Sequence, residues 1–208
     1  MSVLIGVYGA AGCGRCIMPI VRTQYPASRC VFVDDMPGLN DVNGHEVIGW
    51  HSFLTYPVQN KCISIAVASP AIRKNLADKC DLAEIQLVEV RATSVVQWDN
   101  VSIGRGACLS PFVTLTSNIS IGQCFHANLY SYVEHDCKVG DFVTLAPGAK
   151  LNGNVSVGDF SFVGSGAVIH QGISIGESAI VGMGSVVIDD VPSGATVAGN
   201  PARIISKG

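Results

Sequence analysis

Three consecutive residues, Glu134-His135-Asp136, carry the densest chemistry in this chain of 208 residues. Carboxylates beside an imidazole hold its tautomer and favour its protonated form, which strengthens it as a base. Beside a cleft, such a histidine can take the proton of an attacking amine or hydroxyl. The same residue types also make hydrogen bonds across subunit interfaces, and residue chemistry alone weighs the two uses of His135 equally. His126 and His170 each follow an apolar residue of the repeat set out below. Both are expected to point outward, in surface or interface hydrogen bonds. Glu134, Asn152 and His170 fall 18 apart and predict a polar stack up one corner. Zinc needs three or four convergent ligands, and histidines nine apart, as His126 and His135 are, fall on different faces. No metal is expected.

A second group of residues suits an anion. Gly9-Ala10-Ala11-Gly12-Cys13-Gly14 follows an apolar run and opens a helical stretch through Ile17, Ile20 and Val21. Its G-x-x-G-x-G spacing differs from the dinucleotide fingerprint, but a glycine turn at a helix start presents backbone N–H groups all the same. Asp34-Asp35 ends the next apolar run, where an acidic residue meets a ribose or base in this architecture. The two features together predict nucleotide binding. Cys13-x-x-Cys16 lacks a partner pair, so the eight cysteines read as free thiols in a reducing compartment.

These residues need scaffolds, and two are legible. Apolar runs at Val3–Tyr8, Cys30–Val33, Ile63–Ala68 and Gln86–Val90 read as strands alternating with helices, with Ser69 as a cap and Pro70 in the first helical turn. That order predicts a small parallel sheet with helices on both faces, a Rossmann-like unit over residues 1–90. From Ile103, an apolar residue returns every six positions through Val187, fifteen times without a slip. A second series two residues earlier is mostly small, including Ala107, Ser131, Cys137, Ala149, Ser161 and Ser185. A period of six fits neither a helix nor a lone strand. It fits a short strand, a corner and a repeat. Gly104, Gly122, Gly140, Gly158 and Gly176 add a period of 18, so three hexads make one coil of a triangular parallel β-helix over residues 91–208. The glycines suit corners that need positive φ or close backbone approach.

Composition narrows the function. Charged residues make up 14% of the chain, net −3 with no Lys/Arg cluster, which argues against nucleic acid as a partner. So sparse a charge layer beside 48% apolar residues predicts surface buried between subunits. The run from Val3 is short, lacks a basic flank and reads as a strand rather than a signal peptide. No membrane span is expected, and the expected location is the cytoplasm.

Certain stretches together resemble a known family: Tyr8–Gly14, Phe32-Val33-Asp34-Asp35, Asn43–Gly49, Val133–Cys137 and Ala198–Arg203. They are similar to bacterial nucleotide-sugar N-acetyltransferases of the left-handed β-helix, hexapeptide-repeat superfamily. The likeness is greatest to enzymes acetylating the 4-amino group of UDP-2-acetamido-4-amino-2,4,6-trideoxyhexose in the bacillosamine pathway. The resemblance implies a homotrimer with active sites between subunits, acetyl-CoA as co-substrate and a nucleotide-linked amino sugar as acceptor. His135 matches the general base and Asp136 the carboxylate orienting it. Asn128 matches a polar residue near the base, and the backbone at Gly153 the position that meets the thioester carbonyl. Thr144, Ser165 and Met183 match coenzyme contacts. Gly12, Cys13, Gly14, Asp34, Asp35 and Ala68 match the nucleotide-sugar pocket. The family usually has histidine where Cys13 stands, often histidine at Thr144, and a Gly-Asn pair at Ala68-Ser69. Two other readings stand beside this one: a sialic-acid-type sugar O-acetyltransferase, and a non-catalytic hexapeptide scaffold or nucleotide-binding regulator.

Overall fold

A computed structural model describes residues 3–36, 38 and 40–206. The N-terminal unit holds β1 (Val3–Tyr8), α1 (Gly12–Gln24), β2 (Arg29–Val33), β3 (Asp41–Val42), β4 (His45–Ile48), α2 (Trp50–Thr55), β5 (Asn60–Ile65), α3 (Pro70–Leu82) and β6 (Gln86–Leu87). The strand order is β3-β4-β2-β1-β5-β6, parallel except for the β3–β4 hairpin. Ile17, Met18 and Val21 of α1 pack on one face, against Ile5, Val7 and Phe32. Phe53 of α2 with Ala77 and Cys80 of α3 cover the other, against Leu4, Val31 and Ile63. Ser69 accepts from the Ile72 N–H at 3.5 Å and Pro70 opens α3, as the sequence predicts.

Three features differ from expectation. The hairpin and α2 were not anticipated, although Asn43 and Gly44, at φ 53° and 76°, form the kind of turn that joins two short strands. The strand expected over Gln86–Val90 is divided: Gln86–Leu87 joins the first sheet, while Val90–Arg91 pairs with Cys108–Leu109 and opens the prism.

The prism has three parallel sides. The first stacks strands at Val90, Cys108, His126, Thr144, Phe162, Ile180 and Thr196, then ends on an antiparallel strand, Ala202–Ser206. The second runs from Val96–Gln97 to Val186–Val187 and the third from Val101–Ile103 to Ser174–Ile175. Inward positions of the apolar series from Leu109 to Val187 are all buried. The small series is buried too from Ala107 on, and its polar members find backbone partners: Ser131 donates to Asn128 O and Ser161 to Gly176 O, each at 2.7 Å. The 18-spaced glycines answer close approach rather than positive φ, since a Cβ on Gly104 would lie 2.5 Å from the Gln123 amide. Positive φ falls two residues later, at Gly106, Cys124, Phe142, Phe160 and Ser178.

The N-terminal unit sits on the first side. Cys124 and Phe142 complete one of its cores, Val90 and Cys108 the other. His126 does point out of the prism, but into this junction. It is 3% exposed, with Nε2 bonded to Ile65 O at 2.9 Å. Arg73 of α3 is wholly buried beside it. Its guanidinium donates to Val67 O and Ala68 O in its own unit, and to Cys124 O, Phe142 O, Val143 O and Thr144 Oγ1 across the junction. Every partner is a carbonyl or hydroxyl oxygen, and burial lowers the Arg73 pKa to about 10.

Burial, then the nearby Arg73 charge, hold His126 well below the usual imidazole value. Unfolded, it takes a proton near pH ~6.5; folded, it stays neutral to lower pH. Between those values the unfolded chain binds more protons, so stability falls as the pH drops below about 6.5. Melting temperature should therefore fall between pH 7 and pH 5, and His126→Gln should flatten that slope. Parallel slopes for the two proteins would assign the pH dependence elsewhere.

No helix among the described residues is long and apolar enough to cross a membrane. None of their His, Cys, Asp and Glu side chains cluster in threes as metal ligands.

Candidate active site

The edge between the second and third sides carries the base candidate. Strand Tyr132–Val133 ends there, and the chain turns through His135 with Asp136 at φ 62°. Aspartate and asparagine tolerate that left-handed conformation better than most residues. Turning there brings the Asp136 carboxylate back onto the preceding imidazole, with Oδ2 2.8 Å from His135 Nδ1. A carboxylate only accepts, so Nδ1 donates and Nε2 carries the lone pair. Hydrogen bonds from His135 and then Asn118 hold the Asp136 carboxyl below the ordinary carboxylate range. The ring lies over the next coil at Gly153, where a Cβ would sit 2.5 Å from Cε1 and 2.6 Å from Nε2. Only glycine leaves room for this ring. His135 and Asp136 are 62% and 53% exposed, so the single chain presents the pair without a roof.

Glu134, Asn152 and His170 do stack up this edge one coil apart, but they do not bond to one another. Glu134 accepts from the Gly153 N–H at 3.1 Å, Asn152 accepts from the Tyr132 hydroxyl at 2.8 Å, and His170 bonds to the neighbouring Gln171 O. Glu134 thus occupies the backbone donor at Gly153 that the sequence assigned to the thioester oxygen.

Coenzyme expectations fall on the preceding edge. Ser165 and Met183 are exposed there one coil apart, Met183 at 81%. Asn128, on the same edge, donates its amide to Leu145 O at 2.9 Å. Thr144 lies elsewhere: it is 1% exposed in the domain junction, bonded to Arg73 at 3.0 Å and to Ala68 O at 3.2 Å. Its side chain has no free surface in this chain. Its role here is to hold the Ala68 turn.

In the N-terminal unit, Gly12, Cys13 and Gly14 form the first turn of α1, whose N-terminus has no side-chain cap. Gly14 packs so closely on the preceding turn that any Cβ would collide with Gly9 O. Asp34 faces this turn, but its carboxylate is taken by the Ala10 N–H at 2.9 Å and the Met36 N–H at 3.0 Å, so it braces the loop. Asp35 is the more open carboxylate. It accepts from the Trp50 N–H, the Tyr8 hydroxyl and Lys79 Nζ, and the Trp50 bond is the leading reason its pKa is lowered. Lys79 also lies 4.8 Å from the centre of the Trp50 ring. Burial pushes the Cys13 thiol up to about 11, which leaves it neutral rather than a thiolate. Tyr8, Trp50, Lys79, Arg73 and Asn118 were not anticipated. The first four belong to helices or strands whose long-range partners no local spacing reveals.

Comparison with known proteins gives the family. Residues 4–80 match the family model described as the PglD N-terminal domain. The GDP-perosamine N-acetyltransferase of Escherichia coli O157:H7 is 44% identical over 96% of this chain and 95% of its own. WeeI from Acinetobacter baumannii AYE superposes with a TM-score of 0.95 at 46% identity, over 98% of this chain and 100% of that one. The acetyltransferase domain of PglB from Neisseria gonorrhoeae FA1090, solved in complex with acetyl coenzyme A, gives 0.91 at 28% identity, over 97% and 98%. The chain belongs to the nucleotide-sugar N-acetyltransferases of the left-handed β-helix, hexapeptide-repeat superfamily, and is an acyltransferase rather than a scaffold.

Proposed function

We propose that the chain moves the acetyl group of acetyl-CoA onto the 4-amine of a nucleoside-diphosphate-linked amino-deoxy sugar, with His135 as general base. The observation that carries this is the His135–Asp136 pair, whose free Nε2 lies over Gly153. A thioester is already activated, so the protein has to orient two substrates and remove one proton. The amine nitrogen attacks the thioester carbon as its proton passes to His135 Nε2. The C–S bond then breaks and coenzyme A leaves as the thiolate, which takes that proton. Asp136 stabilises the imidazolium between the two steps.

The acceptor's nucleotide is read by the N-terminal unit. The uncapped start of α1 offers N–H groups to the diphosphate, and Asp35 faces ribose or base. Cys13, in the same turn, and Ala68, whose carbonyl Arg73 and Thr144 hold, are assigned to the sugar. Two nucleotides fit this chemistry. The UDP-linked sugar is the one the sequence resemblance implies; GDP-perosamine is favoured by the 44% identical relative.

Base and coenzyme surfaces occupy successive edges of one prism, and His135 is open to solvent. A homotrimer joins the His135 edge of one copy to the Ser165–Met183 edge of the next and roofs the imidazole. Exposed Val96, Trp98, Phe112, Leu129 and Tyr130 supply apolar surface for that contact. Cytoplasmic acetyl-CoA would serve such an enzyme.

The test is coenzyme A release with UDP- and GDP-linked 4-amino sugars and with the free amino sugars. Turnover of one nucleotide form, with kcat/KM for the free sugar down by orders of magnitude, is expected. Equal use of free and nucleotide-linked sugars would remove the N-terminal unit from recognition. No turnover of either nucleotide form would sink the acceptor class.

A further inference from the structure

Left-handed residues stack on the His135 edge one coil apart: Asn100, Asn118, Asp136 and Asn154, with φ between 55° and 62°. Three of them are joined. Asn100 Nδ2 donates to Asn118 Oδ1 at 3.2 Å, and Asn118 Nδ2 donates to Asp136 Oδ1 at 3.2 Å. The second carboxylate oxygen, Oδ2, meets His135 Nδ1 at 2.8 Å. The Asp136 carboxylate fixes the direction of the whole row. It only accepts, so Asn118 must turn its NH₂ toward it and its carbonyl toward Asn100.

We propose that Asn118 is a positioning residue for the acetyl transfer. It acts through Asp136, locking the carboxylate so that its other oxygen faces His135 and keeps the imidazole proton on Nδ1. This rests on the reading of His135 as the base. Without Asn118, one carboxylate oxygen loses its only side-chain donor among the described residues and the carboxylate is free to rotate. The imidazole then samples the tautomer with its proton on Nε2, which cannot accept from the amine. Substrate contacts are untouched, so the loss falls on kcat. A row of asparagines that merely stiffened the corner would have no reason to end on the one carboxylate bonded to the base.

Asn118→Gly removes the side chain while tolerating positive φ. It should lower kcat about tenfold, the order expected for one hydrogen bond to a charged group, and leave both KM values near wild type. Asn118→Asp should lower kcat at least as much, because it replaces the donor by a like charge. In an Asp136→Gly background, Asn118→Gly should change kcat no further, since its only route to the base is gone. Equal fold losses in both backgrounds, or loss only in melting temperature, would make Asn118 structural and overturn the proposal. If His135→Ala itself kept normal kcat, the base assignment would be at fault. If His135→Ala lost activity while Asn118→Gly did not, the positioning role alone would fall.

Discussion

His135→Ala is expected to lower kcat by about 10²–10⁴-fold, the usual contribution of a positioned general base. The acetyl-CoA dissociation constant should hold, because the role proposed for the ring is with the amine rather than with the body of the coenzyme. The imidazole lies over Gly153 on an exposed edge, so its removal opens a surface gap without disturbing the strand core beneath. Melting temperature should accordingly stay close to wild type. Asp136→Asn should cost less than His135→Ala, since the carboxylate orients the ring and takes no proton. Steady-state kinetics with both substrates varied, beside calorimetric titration of acetyl-CoA, separates these effects. A kcat within a few-fold of wild type in His135→Ala would move the proton transfer to another group. His126 would not be that group, because it is buried and bonded to Ile65 O.

Arg73→Met should lower stability by about 3 kcal/mol or more. Methionine keeps much of the volume but no donor, and it strands the carbonyls at Val67, Cys124 and Phe142, whereas Ala68 O keeps Thr144 Oγ1 and Val143 O keeps the His126 N–H. Unsatisfied buried acceptors cost ~1–3 kcal/mol each, partly offset by relief from burying a charge. For a chain of this size the melting temperature should fall by roughly 6–12 °C. Arg73→Lys should recover only part of this, having three donors where the guanidinium has five. The Ala68 turn hangs from the same guanidinium and from Thr144, so KM for the nucleotide sugar should rise more than KM for acetyl-CoA. Thermal unfolding of the two variants decides the first point. An Arg73→Met protein melting with wild type would mean that water takes over the carbonyls.

How much of this the sequence disclosed depends on the reach of each interaction. The prism was legible almost residue by residue, because its period is local and inward positions admit only apolar or small side chains. Leu109 through Val187 bear that out. The glycines at 104, 122, 140 and 158 were placed at corners for two possible reasons, and close approach proved the operative one. The asparagine row was readable in principle: Asn100, Asn118 and Asp136 are 18 apart and suit positive φ. Arg73 offered a weaker cue, a charged residue at i with Ala77 and Cys80 at i+4 and i+7 on the buried face of α3. What covers that face was not readable. His126, Thr144 and Cys108 look alike in sequence as outward residues of the first side, and only docking of the other unit buries them. The same docking turned Thr144 from a surface residue into a brace.

The guanidinium of Arg73 bonds to Cys124 O and Phe142 O, residues at equivalent corners of successive coils. It therefore works as a gauge, spanning one layer spacing and engaging only when two layers lie at the correct separation. Growth of the prism is quantised by the 18-residue coil: an insertion that is not a multiple of six puts inward positions out of phase, and one of six or twelve keeps the phase but carries every later residue to a different side. A whole extra coil is tolerable beyond Val181, where the first side runs past the N-terminal unit. Between Cys124 and Phe142 it is not, because it would pull the two carbonyls apart and carry His135 away from Gly153. The stretch from Val90 to Gly153 is thus the part of the repeat whose length is fixed, because Val90, Cys108, Cys124, His126 and Phe142 all dock on the N-terminal unit, while the end beyond Val181 is free to lengthen by whole coils.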